Sequence, residues 1–192
     1  MLRGPTAHLL LLLLASGSLS AQVTPLVPVV TADDSSFDIN TGEAVLKGHP
    51  RFEYGPTLLL ADELRYNQSR NLVTGNGHFI ITSGAQRLLA ARGTYDLATG
   101  TFDLVDVRAG EPPFYVTAAT ATGTRQRMTL TGAIVTYNEP GRFAPTLSAA
   151  RLVYEPGRRI AGERGYLGLG DHRVLALPNF DRALDEASQS RS

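Results

Sequence analysis

The chain has 192 residues, 18 basic against 18 acidic side chains, no cysteine and no tryptophan. A balance this even leaves no basic excess to hold a nucleic acid. The lack of thiols excludes disulfide staples and thiol catalysis, so stability has to come from burial.

Residues 1–21 read as a secretory signal. Arg3 supplies a positive start, Leu9 to Leu14 an unbroken apolar run, and Ala15, Ser16, Gly17, Ser18, Ser20 and Ala21 the small residues of a cleavage region after Ser20 or Ala21. The apolar run is too short for a spanning helix, which needs about 20 residues. Removing it leaves a mature part of about 170 residues, enough for one domain with its own core. Only Arg3 among the formal charges leaves with it, so 18 against 18 becomes 17 against 18. No thiol is present near the junction to take a lipid anchor.

Residues 22–30 carry Pro25 and Pro28 among valines and read as an extended leader. Residues 31–180 read as one all-β domain. Runs rich in Val, Leu, Ile, Phe, Tyr and Thr alternate with turn residues at intervals of about 8–12. The turn signals include Asn40-Thr41-Gly42, Gly75-Asn76-Gly77, Ala98-Thr99-Gly100, Glu139-Pro140-Gly141 and Glu155-Pro156-Gly157. Residues 181–192 form a polar tail, with helix-friendly composition from Arg182 to Ser190.

Internal repetition is the strongest signal. Phe37, Tyr66 and Tyr95 stand 29 apart, and Tyr154 lies 59 beyond Tyr95. Each follows an alanine by four or five residues (Ala32, Ala61, Ala91, Ala150) and precedes a polar turn. Val45-Leu46-Lys47-Gly48-His49-Pro50-Arg51-Phe52 and Leu72-Val73-Thr74-Gly75-Asn76-Gly77-His78-Phe79 share an aromatic four residues after a glycine, with a looser copy from Leu130 to Ile134. The repeating unit is therefore strand, tight turn, strand, connector. One such hairpin cannot bury its apolar face alone, but stacked units can share a continuous core.

Catalytic and metal patterns are absent. His49, His78 and His172 form no metal-ligand spacing of the HExxH kind, and His49 and His78 lack a nearby carboxylate at ligand spacing. There is no Gly-x-Ser-x-Gly elbow. The glycine-rich stretch Gly162–Gly170 lacks the Lys-Ser/Thr ending and following helix of a phosphate loop. The paired acids Asp33-Asp34 and Asp185-Glu186 sit near the ends of the chain and read as solvated. No catalytic residue, cofactor or metal is expected.

The unit Ala61-Asp62-Glu63-Leu64-Arg65-Tyr66-Asn67 through Gly75-Asn76-Gly77-His78-Phe79 resembles the repeat of the OstA-like domain, as does Tyr95-Asp96 with its turn. That domain is shared by the lipopolysaccharide-transport proteins LptA and LptC and the N-terminal part of LptD. The resemblance spans residues 30 to 180. It departs from the family's pattern at Gly77, where a valine is usual, and at the inserted Glu111-Pro112-Pro113. Val174 to Phe180 resembles the segment that closes the periplasmic part of LptD-like proteins before the barrel. A chain ending here would be a free-standing relative or a truncated one.

The resemblance implies a V-shaped β-jellyroll of repeated antiparallel hairpins and a non-enzymatic periplasmic role in lipopolysaccharide transport. Lipopolysaccharide or a related lipid would be carried in an apolar groove. Other OstA-like domains would dock by edge-strand pairing, and an outer-membrane barrel component is a further candidate partner. Strand alternation nominates Leu46, Phe52, Val73, Phe79, Ile81, Phe102, Leu104, Leu130, Ile134 and Ile160 for the groove. On composition alone these residues equally fill a closed core. Lys47, Arg51, Arg87, Arg92, Arg125 and Arg127 are candidates for head-group phosphates, or plain surface charges. Two other function classes remain open: an envelope or extracellular structural or adhesive β-repeat protein, and a β-enzyme acting on polysaccharide. The last lacks a spaced pair of carboxylates.

Overall fold

The structure, a computed structural model, describes residues 26–111, 114–137, 144–170 and 172–183. The signal segment, the Glu139-Pro140-Gly141 turn and the end of the tail lie outside the described residues. Fifteen strands make one antiparallel sheet. Six short ones come first: β1 (Val29–Thr31), β2 (Asp34–Asp38), β3 (Glu43–Lys47), β4 (Arg51–Tyr54), β5 (Thr57–Leu60) and β6 (Glu63–Asn67). Seven long ones follow: β7 (Leu72–Ser83), β8 (Gln86–Asp96), β9 (Phe102–Glu111), β10 (Phe114–Gly123), β11 (Met128–Tyr137), β12 (Pro145–Glu155) and β13 (Arg159–Leu169). β14 (His172–Leu177) and β15 (Phe180–Ala183) end the sheet. The sheet thus takes in Val29 and Val30, which read as leader, and runs to Ala183, inside the polar tail.

The long strands each serve two leaves. The start of β7 pairs with β6 and its end pairs with β5. The start of β13 pairs with β15 and its end with β14. Leaf one therefore runs β1-β4-β5, then β7 to β13, then β14; leaf two runs β2-β3-β6, then β7 to β13, then β15. The sheet is not closed. It is the β-jellyroll of stacked hairpins that the sequence implied.

A crease separates the leaves, and the backbone pays out extra residues there. Gly77 and His78 of β7 lie between Asn76, paired with Arg92, and Phe79, paired with Ala90. Gly77 (φ 71°) and His78 (φ 46°) are both left-handed, as are Gly48, His49, Asp106, Gly132 and Arg164 at the equivalent places. Such bulges bend a strand and strengthen its twist. In four of the other long strands the inward set also changes at the crease. β8 buries Leu88 and Ala90, then Tyr95; β9 buries Phe102 and Leu104, then Val107. The same happens in β10 (Ala118, then Ala121) and β11 (Leu130, then Ala133).

This corrects two expectations. Gly75-Asn76-Gly77 is no turn: it lies inside β7 at the crease. Ile134 does not face inward but is 44% exposed: at the left-handed Gly132 (φ 60°) the buried set of β11 changes from Met128 and Leu130 to Ala133 and Thr136, while its pairing register with β10 and β12 stays the same.

The 29-residue period is one circuit of the chain from leaf two to leaf one and back. Phe37, Tyr66, Tyr95 and Tyr154 fall on one ladder row of leaf two: Phe37 opposes Ala44, Ala44 Tyr66, Tyr66 Val73, and Val73 Tyr95. The row continues through Phe102, Gly123 and Met128 to Tyr154.

Candidate functional site

The space between the leaves is apolar from end to end. In leaf one, ladder partners make a single row: Val30, Phe52, Leu59, Ile81, Leu88, Ala109, Val116, Val135, Leu147, Leu167, Leu175. No polar residue interrupts it in eleven strands. Leaf two answers with Leu46, Leu64, Gly75, Gly93, Leu104, Ala121, Leu130, Leu152 and Gly162. The glycines make room for side chains above them. A Cβ on Gly75 would collide with the Phe79 ring, and one on Gly162 with the Phe180 ring.

Nine of the ten nominated residues meet here. Leu46, Val73, Phe102, Leu104, Leu130 and the half-buried Ile160 come from leaf two; Phe52, Phe79 and Ile81 come from leaf one. Burial is uneven along the row. Phe52, Phe79, Leu59, Leu64 and Val73 are sealed, and the Phe52 and Tyr66 rings meet across the leaves at 5.1 Å. Burial also pushes the Tyr66 hydroxyl pKa up. At the other end Leu167 and Leu175 are 43% and 56% exposed. Phe37, Val29 and Val30 are exposed where the chain enters the sheet. The interior is thus filled by its own side chains at β4–β9 and uncovered at the two sheet ends. A concavity of about 440 Å³ lies instead on the outer face of leaf two, between Glu43, Arg65, Asn67 and Thr74.

The polar groups sort into three places. On the outer face of leaf two, Glu63 takes a hydrogen bond from Arg65 and lies 3.4 Å from Lys47, which together hold its carboxyl below the usual range. Among the other nominated cations, Arg51 pairs with Glu53 and Arg127 with Glu155, while Arg87 and Arg92 are exposed. These are surface contacts worth little each.

On the crease, each histidine has an acidic partner that spacing did not reveal. His49 Nδ1 lies 3.1 Å from Asp33, and His78 Nδ1 2.9 Å from Asp62. Both partners stand 16 residues earlier, on the neighbouring rung, so the shared 29-residue offset was the available signal. The Asp33 and Asp62 backbone N–H groups also donate to the carbonyls of Gly48 and Gly77. Each aspartate thereby closes a bulge.

At the rims, Thr57 donates to Ser83 at 3.2 Å within leaf one, and Tyr95 of leaf two shares a hydrogen bond with Thr57 at 3.5 Å. Arg125, in the β10–β11 turn of leaf two, donates to Ser83 at 2.5 Å.

No family model matches the chain, and no curated protein matches it. Among solved structures it is similar to LptH, the LptA homologous periplasmic component of the conserved lipopolysaccharide transport device from Pseudomonas aeruginosa. The likeness has a TM-score of 0.50 at 17% identity and covers 55% of this chain and 82% of that one. The fold is LptA-like. Among the described residues the space between the leaves is lined by an apolar row that runs the length of the sheet.

Proposed function

We propose that this chain is a periplasmic carrier that shelters the acyl chains of lipopolysaccharide or a related lipid between its leaves. It passes them toward the outer membrane as one module of a head-to-tail bridge. Residues 1–21 serve as the export signal, and residues 31–180 as the carrier domain. The observation that carries this reading is the unbroken apolar row crossing eleven strands of leaf one and emerging at Leu167 and Leu175. Each methylene hidden from water is worth about 0.8 kcal/mol, so a chain of a dozen carbons gains on the order of 10 kcal/mol by entering such a space. Among the described residues, edge strands β1 and β2 at one end, and β14 and β15 at the other, each have a ladder partner on one side. Exposed edges are templates for another strand, here of a like module.

The test is a fluorescent fatty-chain probe titrated with purified protein, competed by lipid A, with a photoreactive residue at position 167 or 175. Saturable binding and crosslinking at these positions support the carrier. No binding favours the second reading, a structural or adhesive β-repeat protein of the envelope. That reading draws on the sealed packing around Phe52, Leu59 and Phe79.

A further inference from the structure

The rim contact joins side chains of the two leaves outside the backbone ladders, and it is buried. Ser83 and Thr57 close the outer margin of leaf one, beside the β7–β8 turn. Tyr95 and Arg125 project from the margin of leaf two, from the end of β8 and the β10–β11 turn. The Ser83, Thr57 and Tyr95 side chains are 2%, 6% and 5% exposed. Three hydroxyls and one guanidinium thus meet over the sealed part of the apolar row, opposite the crease.

The joint is an unsatisfied one. Arg125 Nε is buried and finds no hydrogen-bond partner among the described residues. A guanidinium offers five donors in a planar fork, suited to a bidentate carboxylate or phosphate. A single serine hydroxyl serves one arm of it. Leaving a buried donor unpaired is costly, and exposure to water removes that cost. Parting the leaves gives up one charge-assisted bond and one long hydroxyl contact, while it rehydrates the rest of Arg125. The polar joint taken by itself is therefore close to balance, and the apolar contacts beneath it, the Phe52–Tyr66 ring pair among them, also hold the leaves together.

We propose that Arg125, Ser83, Thr57 and Tyr95 form a clasp across the mouth between the leaves. While it is shut, hydrocarbon reaches the interior only from the ends of the sheet. When it opens, a chain enters sideways along β5, β7 and β8. What passes through the mouth rests on the carrier reading above; that the clasp holds the rims together does not.

The experiment uses the full mature chain, whose lack of cysteine permits clean labelling. Nitroxides at Ala85→Cys and Gln126→Cys, in the two exposed rim turns, report the width of the mouth by pulsed electron resonance. Arg125→Ala and, separately, Ser83→Ala are each compared with the parent, with urea unfolding checking that each variant folds. The expected result is a longer and broader distance distribution in both variants, with association of a fluorescent fatty chain faster by roughly tenfold, the factor for one lost contact of this kind. A bis-maleimide tether between Ser83→Cys and Arg125→Cys should slow association instead. Unchanged distances in both variants overturn the clasp, whatever the probe does. Widened distances with a probe that never binds keep the clasp and defeat the carrier.

Discussion

Strands β4, β5, β7 and β8 and strands β13 and β14 carry the same apolar ladder row, yet the first part is sealed and the second open. Phe52, Leu59 and Ile81 are closed off, whereas Leu167 and Leu175 in the same row are about half exposed. The difference lies in what stands opposite. Over the first stretch the leaves touch, through the Phe52–Tyr66 ring contact and the Arg125–Ser83 joint. One packing device occurs in both regions: an aromatic ring laid on a glycine, Phe79 on Gly75 and Phe180 on Gly162. Phe79 is fully buried and Phe180 only half. An apolar pattern therefore marks an inner face, but whether that face is core or binding surface depends on the partner leaf.

The largest effect should fall on charge placed in the sealed stretch. Leu59→Glu buries an unpaired carboxylate and should prevent stable folding, seen as loss of a cooperative urea transition. Leu167→Glu should change stability by no more than about 0.5–1 kcal/mol while abolishing fatty-chain binding at that end. If both unfold the chain, the open end is core after all.

The paired aromatics sharpen the contrast. Phe79→Ala should cost about 3–5 kcal/mol, against roughly 1–2 kcal/mol for the half-buried Phe180→Ala, measured from urea midpoints at a shared slope. Equal losses would erase the distinction between the two regions.

The crease comes next. At Gly77 a Cβ would meet the Asp62 carboxylate, and the backbone is left-handed. Gly77→Ala should cost at least about 1–2 kcal/mol. His78→Ala removes an exposed hydrogen-bond partner of Asp62 and should cost at most ~1 kcal/mol. Thermal unfolding of the two variants separates backbone strain from the side-chain pair.

The smallest effect belongs to β15. Arg159 Nε donates to Asp181 at 2.6 Å, and a second guanidinium nitrogen donates to its other oxygen. This contact holds the Asp181 carboxyl below its ordinary value. The fastening is complete above the ordinary carboxylate pKa and fades as pH falls through the depressed one. Protection factors at the Ile160 and Arg182 amides, corrected for the intrinsic pH dependence of exchange, should fall a few-fold in acid, and Asp181→Asn should reproduce that at neutral pH; protection unchanged by both would leave β15 held by its ladder alone.

Much of this was legible in the residues. The strand character, the 29-residue period and the inward placement of Phe52, Phe79, Leu104 and their neighbours follow from local alternation and turn chemistry, which act over a few residues and survive in any tertiary setting. Tertiary structure decided the rest. The bulge at Gly77–His78 turned an apparent turn into a bend, and the left-handed Gly132 changed the buried face of β11 and left Ile134 outward, because the face a strand buries past a crease is set by the whole sheet. The Asp62–His78 and Arg125–Ser83 contacts join residues 16 and 42 apart, and the sealing of Leu59 but not Leu167 depends on a second leaf closing over the first. Alternation tells a side chain which face to take; only the folded sheet determines what that face meets.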